Sequence, residues 1–229
     1  MTTKAAAPTE KATPQPRSPQ DKKLVGDLAL AEQMLQAALH DEEAAPLLAE
    51  GSYTPAELKA GLALQKAVMQ AYIARQEADE QQLAATRSFV AADKAARTLY
   101  TQLRDFARSA FVNDTAAREA LGLSGVEPKD PQKFVAAATA LIDQGKNELY
   151  ATKLAKKTVT STKLAELATR LEAWKDAERK QAKANNDVST AAAKCDAAAK
   201  ALFDWLAEYQ QFARAQFKDQ PGIKRRLWL

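Results

Sequence analysis

The chain has 229 residues, enough for one or two domains and a substantial core, and is 46% hydrophobic but only 7% aromatic. Seven glycines, nine prolines and a predominance of Ala, Glu, Lys, Leu, Arg and Gln leave little material for strands and predict an all-α fold. One cysteine excludes an internal disulfide framework, and no apolar run approaches the roughly 20 residues that cross a bilayer.

The net charge of +4 is unevenly placed. Residues 1–20 carry about +2, residues 21–123 about −4 and residues 124–229 about +6, so the two halves have opposite sign. Opposed potentials steer docking, between halves or between molecules. Residues 1–20 mix Pro, Thr, Lys, Ala and Gln without periodic apolar positions, which predicts a disordered tail. They also lack the apolar core of a secretory signal; with the single cysteine, this sets a cytoplasmic expectation.

A helical pattern begins near Leu24, with Leu28, Ala31, Leu35, Ala38 and Leu39 on one face. It weakens at His40–Glu43, and Pro46 permits a short helix through Leu47 and Leu48 before Gly51 and Ser52. Thr54 and Pro55 are placed as cap and first residue of a long helix. From Leu62 to Leu121 there is no glycine or proline, and Leu64, Ala71, Ala78, Ala85, Ala92, Leu99 and Phe106 recur every seven residues. Such a column of small side chains bounded by large ones predicts close pairing with another helix. The polar run Arg75–Gln82 is made mostly of good helix formers and keeps the seven-residue phase, so one helix of about 58 residues is expected; a hinge near residues 80–88 is the alternative. A short helix follows at Thr115–Leu121, and Ser124–Pro131 is the best boundary in the chain.

The second half repeats the first, shifted by 106 positions. FARSAFVNDTAAREALGL at 106–123 aligns without a gap to FARAQFKDQPGIKRRLWL at 212–229, and Ala177, Ala184, Ala191, Ala198, Trp205 and Phe212 continue the column. This predicts two helical repeats, 21–123 and 124–229, each with a medium, a long and a short terminal helix, in an elongated bundle. The long helices are expected to pair along their alanine columns, with aromatic clusters around Leu99–Phe111 and Trp205–Phe217. The alternative hinge in the second copy lies near residues 186–194.

The long helix leading to an Arg/Phe-bearing end, then Asp114-Thr115-Ala116-Ala117 and Ala120-Leu121-Gly122-Leu123, resembles alanine-rich helical modules of bacterial proteins, some joined to fibronectin type III domains. The resemblance covers most of 55–123 and more loosely 161–229, where Asp219-Gln220-Pro221-Gly222 and Leu227-Trp228-Leu229 depart from it. It implies an all-α module and assigns no functional residue.

Chemistry is sparse. His40 has Ala37 three residues before it, so it does not form the Glu-x-x-His pair of a di-iron bundle, and one His with one Cys is too few for zinc. His40 reads as an exposed helix-end residue and Cys195 as a small packing residue; the two lie in different repeats, which gives no Cys–His pair. No phosphate-cradling glycine loop occurs. No cofactor, metal or catalytic residue is expected. The candidate anion or partner contacts are Lys153, Lys156 and Lys157, then Arg179, Lys180 and Lys183, then Lys224, Arg225 and Arg226, with Trp228 available for stacking. The expected function is a non-enzymatic structural or protein-interaction bundle, self-association included. The alternative is non-specific binding of nucleic acid or another polyanion through the basic repeat.

Overall fold

The computed structural model describes residues 18–229. Among them the chain forms eight α-helices and no strand: α1 Pro19–His40, α2 Ala44–Glu50, α3 Pro55–Ala110, α4 Thr115–Ala120, α5 Pro131–Gly145, α6 Glu148–Ala155, α7 Ser161–Gln216 and α8 Pro221–Arg226. The all-α expectation is met, with two long helices of 56 residues each. Of the expected tail, residues 1–17 lie outside the described residues. Ser18, Pro19 and Gln20 instead start α1: Ser18 Oγ accepts the Asp21 N–H at 3.0 Å, and the Asp21 carboxylate accepts the Ser18 N–H at 3.0 Å. This reciprocal capping satisfies two N–H groups that a helix start would otherwise leave unpaired.

The repeat is visible in the backbone. The bounds of α3 and α7, and those of α4 and α8, differ by the 106 positions of the sequence shift. Thr54 and Thr160 accept hydrogen bonds from the N–H groups of Glu57 and Lys163 at the two long-helix starts, at 3.4 and 3.3 Å. Ser52 and Thr158 both adopt positive φ, 76° and 63°, and so do Gly122 and Trp228, at 66° and 59°. These residues turn the chain out of a helix end, and each is followed by an N–H that returns to a carbonyl five residues earlier: Tyr53 to Leu48, Val159 to Leu154, Leu123 to Arg118 and Leu229 to Lys224. The medium helices match less well. α5 has 15 residues where α1 has 22, because Asp130 caps the chain late through the Lys133 N–H at 2.9 Å and Pro131 takes the first position.

The run Arg75–Gln82 is helical throughout, so α3 is one helix, as is α7 across residues 186–194. Packing divides the chain into two units that cut across the sequence halves. Unit 1 comprises residues 18–78 and 188–229; unit 2 comprises residues 79–187. In unit 1, Leu28, Leu35, Leu58, Leu62 and Val68 share a core with Leu202, Leu206, Tyr209 and Phe217. In unit 2, Tyr100, Leu103 and Phe111 share one with Phe134, Leu141, Leu164, Leu167 and Trp174. Burial of each such side chain contributes about 1.5–3 kcal/mol.

The alanine columns are not the centre of these cores. Ala78, Ala177 and Ala184 are buried, but Ala71, Ala85, Ala92, Ala191 and Ala198 are only partly so, and Phe106 is 37% exposed. The deepest positions lie about one residue later in the repeat: Gln65, Val68 and Tyr72, then Ala96, Tyr100, Leu103 and Ala107 on α3; Leu164, Leu167, Leu171 and Trp174, then Cys195, Leu202, Leu206, Tyr209 and Ala213 on α7. Large side chains gain more from burial than alanines do, so they set which stripe faces the partner and leave the alanines at its flank.

Candidate interaction surfaces

In unit 2 the two long helices run antiparallel, and polar side chains span them in descending order of one number against the other. Gln82 Nε2 donates to Asn185 Oδ1 at 3.1 Å, and Gln181 Nε2 donates to Thr86 Oγ1 at 3.3 Å. Trp174 Nε1 donates to Asp93 Oδ1 at 2.7 Å, and Arg170 donates to the Ala95 carbonyl at 3.1 Å. These bonds span the α3–α7 seam of unit 2.

Of the ten residues singled out by sequence, six lie in unit 2 and four in unit 1. On α6 of unit 2, Lys153 Nζ sits 5.4 Å from the Phe111 ring centre, and Lys156 and Lys157 are exposed at the helix end, where cations offset the negative end of the helix dipole. On α7, Arg179, Lys180 and Lys183 are exposed, and Arg179 pairs with Asp176. In unit 1, Lys224 Nζ donates to the Lys218 carbonyl at 3.3 Å and Arg225 is exposed. Arg226 donates to Asp41 at 2.7 Å and to Glu43 at 2.5 Å. The Arg226 hydrogen bond is the main cause that holds the Asp41 carboxyl below its usual range; the N–H groups of Ala44 and Glu43 add to it, and partial burial opposes it. Arg226 is thus committed to closing α8 onto the α1–α2 junction. Trp228 is 57% exposed.

This pairing also changes the meaning of the charge asymmetry. Each unit draws on the acidic and the basic half, and the formal charges become about +1 with the tail included and +3. The opposition is met inside unit 1, where residues 21–78 carry about −4 and residues 188–229 about +3; in unit 2, residues 79–123 are about neutral and residues 124–187 carry about +3.

His40 is exposed in the last turn of α1, with Nδ1–H directed to the Gln36 carbonyl at 2.9 Å. Cys195 is buried in unit 1, and burial raises its thiol pKa against the opposing effect of the Arg75 guanidinium. Among the described residues no group of three or more His, Cys, Asp or Glu could hold a metal ion, and no helix is long and apolar enough to cross a membrane.

One surface escaped the sequence reading. In unit 1 a groove of about 280 Å³ runs between α1 and the C-terminal part of α7, lined by the apolar Leu30, Ala31, Met34, Phe203, Leu206 and Ala207 and by the polar Asp27 and Gln210. Leu30 is 46% exposed and Phe203 36%. The signal was present: Leu30 falls outside the Leu28–Ala31–Leu35 face, and Phe203 lies beside the buried Leu202 instead of on its stripe. At the shifted positions in unit 2 stand Ala136 and Arg97, so the exposed Leu30 and Phe203 are particular to unit 1.

The chain matches no family model, no curated protein and no solved structure.

Proposed function

We propose that this chain is a non-enzymatic structural or interaction protein, a repeated helical bundle that acts by presenting surface to protein, a second copy of itself included. The observation that carries this reading is the groove of unit 1. There two large apolar side chains, Leu30 and Phe203, stand partly exposed and line one groove with the buried Met34 and Leu206. Grouped exposure of this kind marks interaction sites, whereas scattered exposed leucines do not.

Sedimentation of the full chain over a range of concentrations tests it. The mass should rise with concentration, and Leu30→Glu/Phe203→Glu should abolish the rise while leaving the helical circular dichroism unchanged. Association that is unaffected by both charges removes the groove as its cause.

The second reading, polyanion binding, is favoured by the exposure of Lys180 and Lys183 on α7 and of Lys156 and Lys157 after α6. It is weakened by Asp176 beside Arg179 and by the commitment of Arg226 to Asp41 and Glu43. Counterion release makes affinity for duplex DNA fall steeply with salt. Absence of binding to a fluorescent duplex at low ionic strength would end this reading.

A further inference from the structure

Neither packing unit is complete within one half of the chain. Divided at 123/124, the described chain gives two arms, 18–123 and 124–229, and each unit takes part of each arm. Leu58, Leu62 and Val68 of the first arm are buried with Leu202, Leu206 and Tyr209 of the second. Tyr100, Leu103 and Phe111 of the first are buried with Phe134, Leu164 and Trp174 of the second. The one covalent joint between the arms is the segment 124–130, between α4 and α5.

Arms joined in this way can close within one molecule or across two. If they are exchanged, the contacts inside each unit are recreated, and only the path of the joint changes. We propose that a second copy of this chain is a partner through exchange of arms, with 18–123 of one molecule pairing with 124–229 of the other.

The joint carries a clamp that holds it closed in the single molecule. Arg104 donates to the Gly125 carbonyl at 2.6 Å, and Arg97 donates to the carbonyls of Pro128 and Lys129 at 2.9 and 3.2 Å. The Arg97 guanidinium also lies 4.3 Å from the centre of the Phe134 ring, at the start of the second arm. At the shifted positions stand Phe203 and Gln210, so the clamp serves the joint and is not part of the repeated core. The tether keeps the arms at high effective concentration for each other, which favours the closed monomer in dilute solution. Exchange requires both units to open, so the dimer forms during folding at high concentration and persists on dilution.

The test uses the full chain with Cys195→Ala, Gln82→Cys and Asn185→Cys. Gln82 lies in the first arm and Asn185 in the second, their side chains meet, and neither is buried. The protein is refolded at high concentration, separated by size and treated with a short bismaleimide. A dimer fraction with its crosslink between chains, giving a band of twice the chain mass under denaturing conditions, is the expected result. Arg97→Ala/Arg104→Ala should enlarge that fraction several-fold, and a Gly-Ser insertion in the joint should reduce it. A dimer crosslinked only within each chain, or monomer alone even in the arginine variant, overturns the proposal. The inference does not rest on the groove of unit 1: Leu30→Glu/Phe203→Glu should leave the crosslink between chains in place.

Discussion

Phe106 and Phe212 occupy the same place in the repeat and meet different surroundings. In unit 1, Phe212 lies against Gly51, where a Cβ would collide with the ring, and joins Tyr53, Trp205 and Tyr209 in an aromatic group. In unit 2 the counterpart of Gly51 is Lys157 and that of Tyr53 is Val159. Phe106 has no such bed and stands partly in solvent, with Lys163 Nζ at 5.9 Å from its ring centre. Unit 2 places its large rings elsewhere: Trp174, where unit 1 has Val68, meets Phe89 and Phe134, and Phe134 meets Tyr100. The backbone plan is shared, but the volume is distributed differently, and a side chain's contribution is set by what its counterpart helix leaves room for.

The largest effect that would sharpen this contrast is at Trp174, which is almost fully buried and hydrogen-bonded to Asp93. Trp174→Ala should cost about 3–5 kcal/mol in chemical denaturation, and Val68→Ala clearly less, because a smaller cavity results. Equal costs would show that the two cores are not differently built.

Next comes Gly51. Gly51→Ala forces Phe212 to move and should cost about 1–3 kcal/mol, the range for overpacking, whereas Lys157→Ala, at an exposed counterpart, should stay within about 0.5 kcal/mol. Thermal melts of the pair measure the difference directly.

A third comparison reverses the sign between units. Trp228 adopts φ of 59° and should gain stability on replacement by glycine, by about 1 kcal/mol, since a residue without Cβ adopts this conformation without strain. Gly122→Ala should lose at least as much, because its Cβ would also press on the Ala137 carbonyl and the Ala140 methyl of α5.

The smallest effect concerns the ion pair peculiar to unit 1. The depressed Asp41 pKa means that the contribution is present above the usual carboxylate pKa and is lost as pH falls through the lowered value. Asp41→Asn should therefore lower the melting temperature slightly at neutral pH and have no effect in strong acid. Its counterpart Asn147 already lacks the charge, so unit 2 offers no equivalent pH response.

Much of the architecture was legible locally. Thr54–Pro55 and Asp130–Pro131 mark helix starts because caps and first-turn prolines act within four residues. The continuity of α3 through Arg75–Gln82 follows from helix propensity and an unbroken phase. The 106-residue recurrence requires only comparison of the chain with itself. Nine of the ten candidate contacts were legible as charges and Trp228 as a ring, but not as a surface. Whether Arg226 faces solvent or Asp41 depends on a residue 185 positions away.

The sequence by itself determined the helices, their ends and their repetition, because hydrogen bonds to nearby backbone and the period of apolar side chains are local properties. Only the tertiary structure decided which stripe of each long helix is buried, that each unit interleaves both halves, and that Leu30 and Phe203 line one groove. Those outcomes depend on the competition among all side chains for the same buried volume, and alanine columns, having little to bury, do not win it.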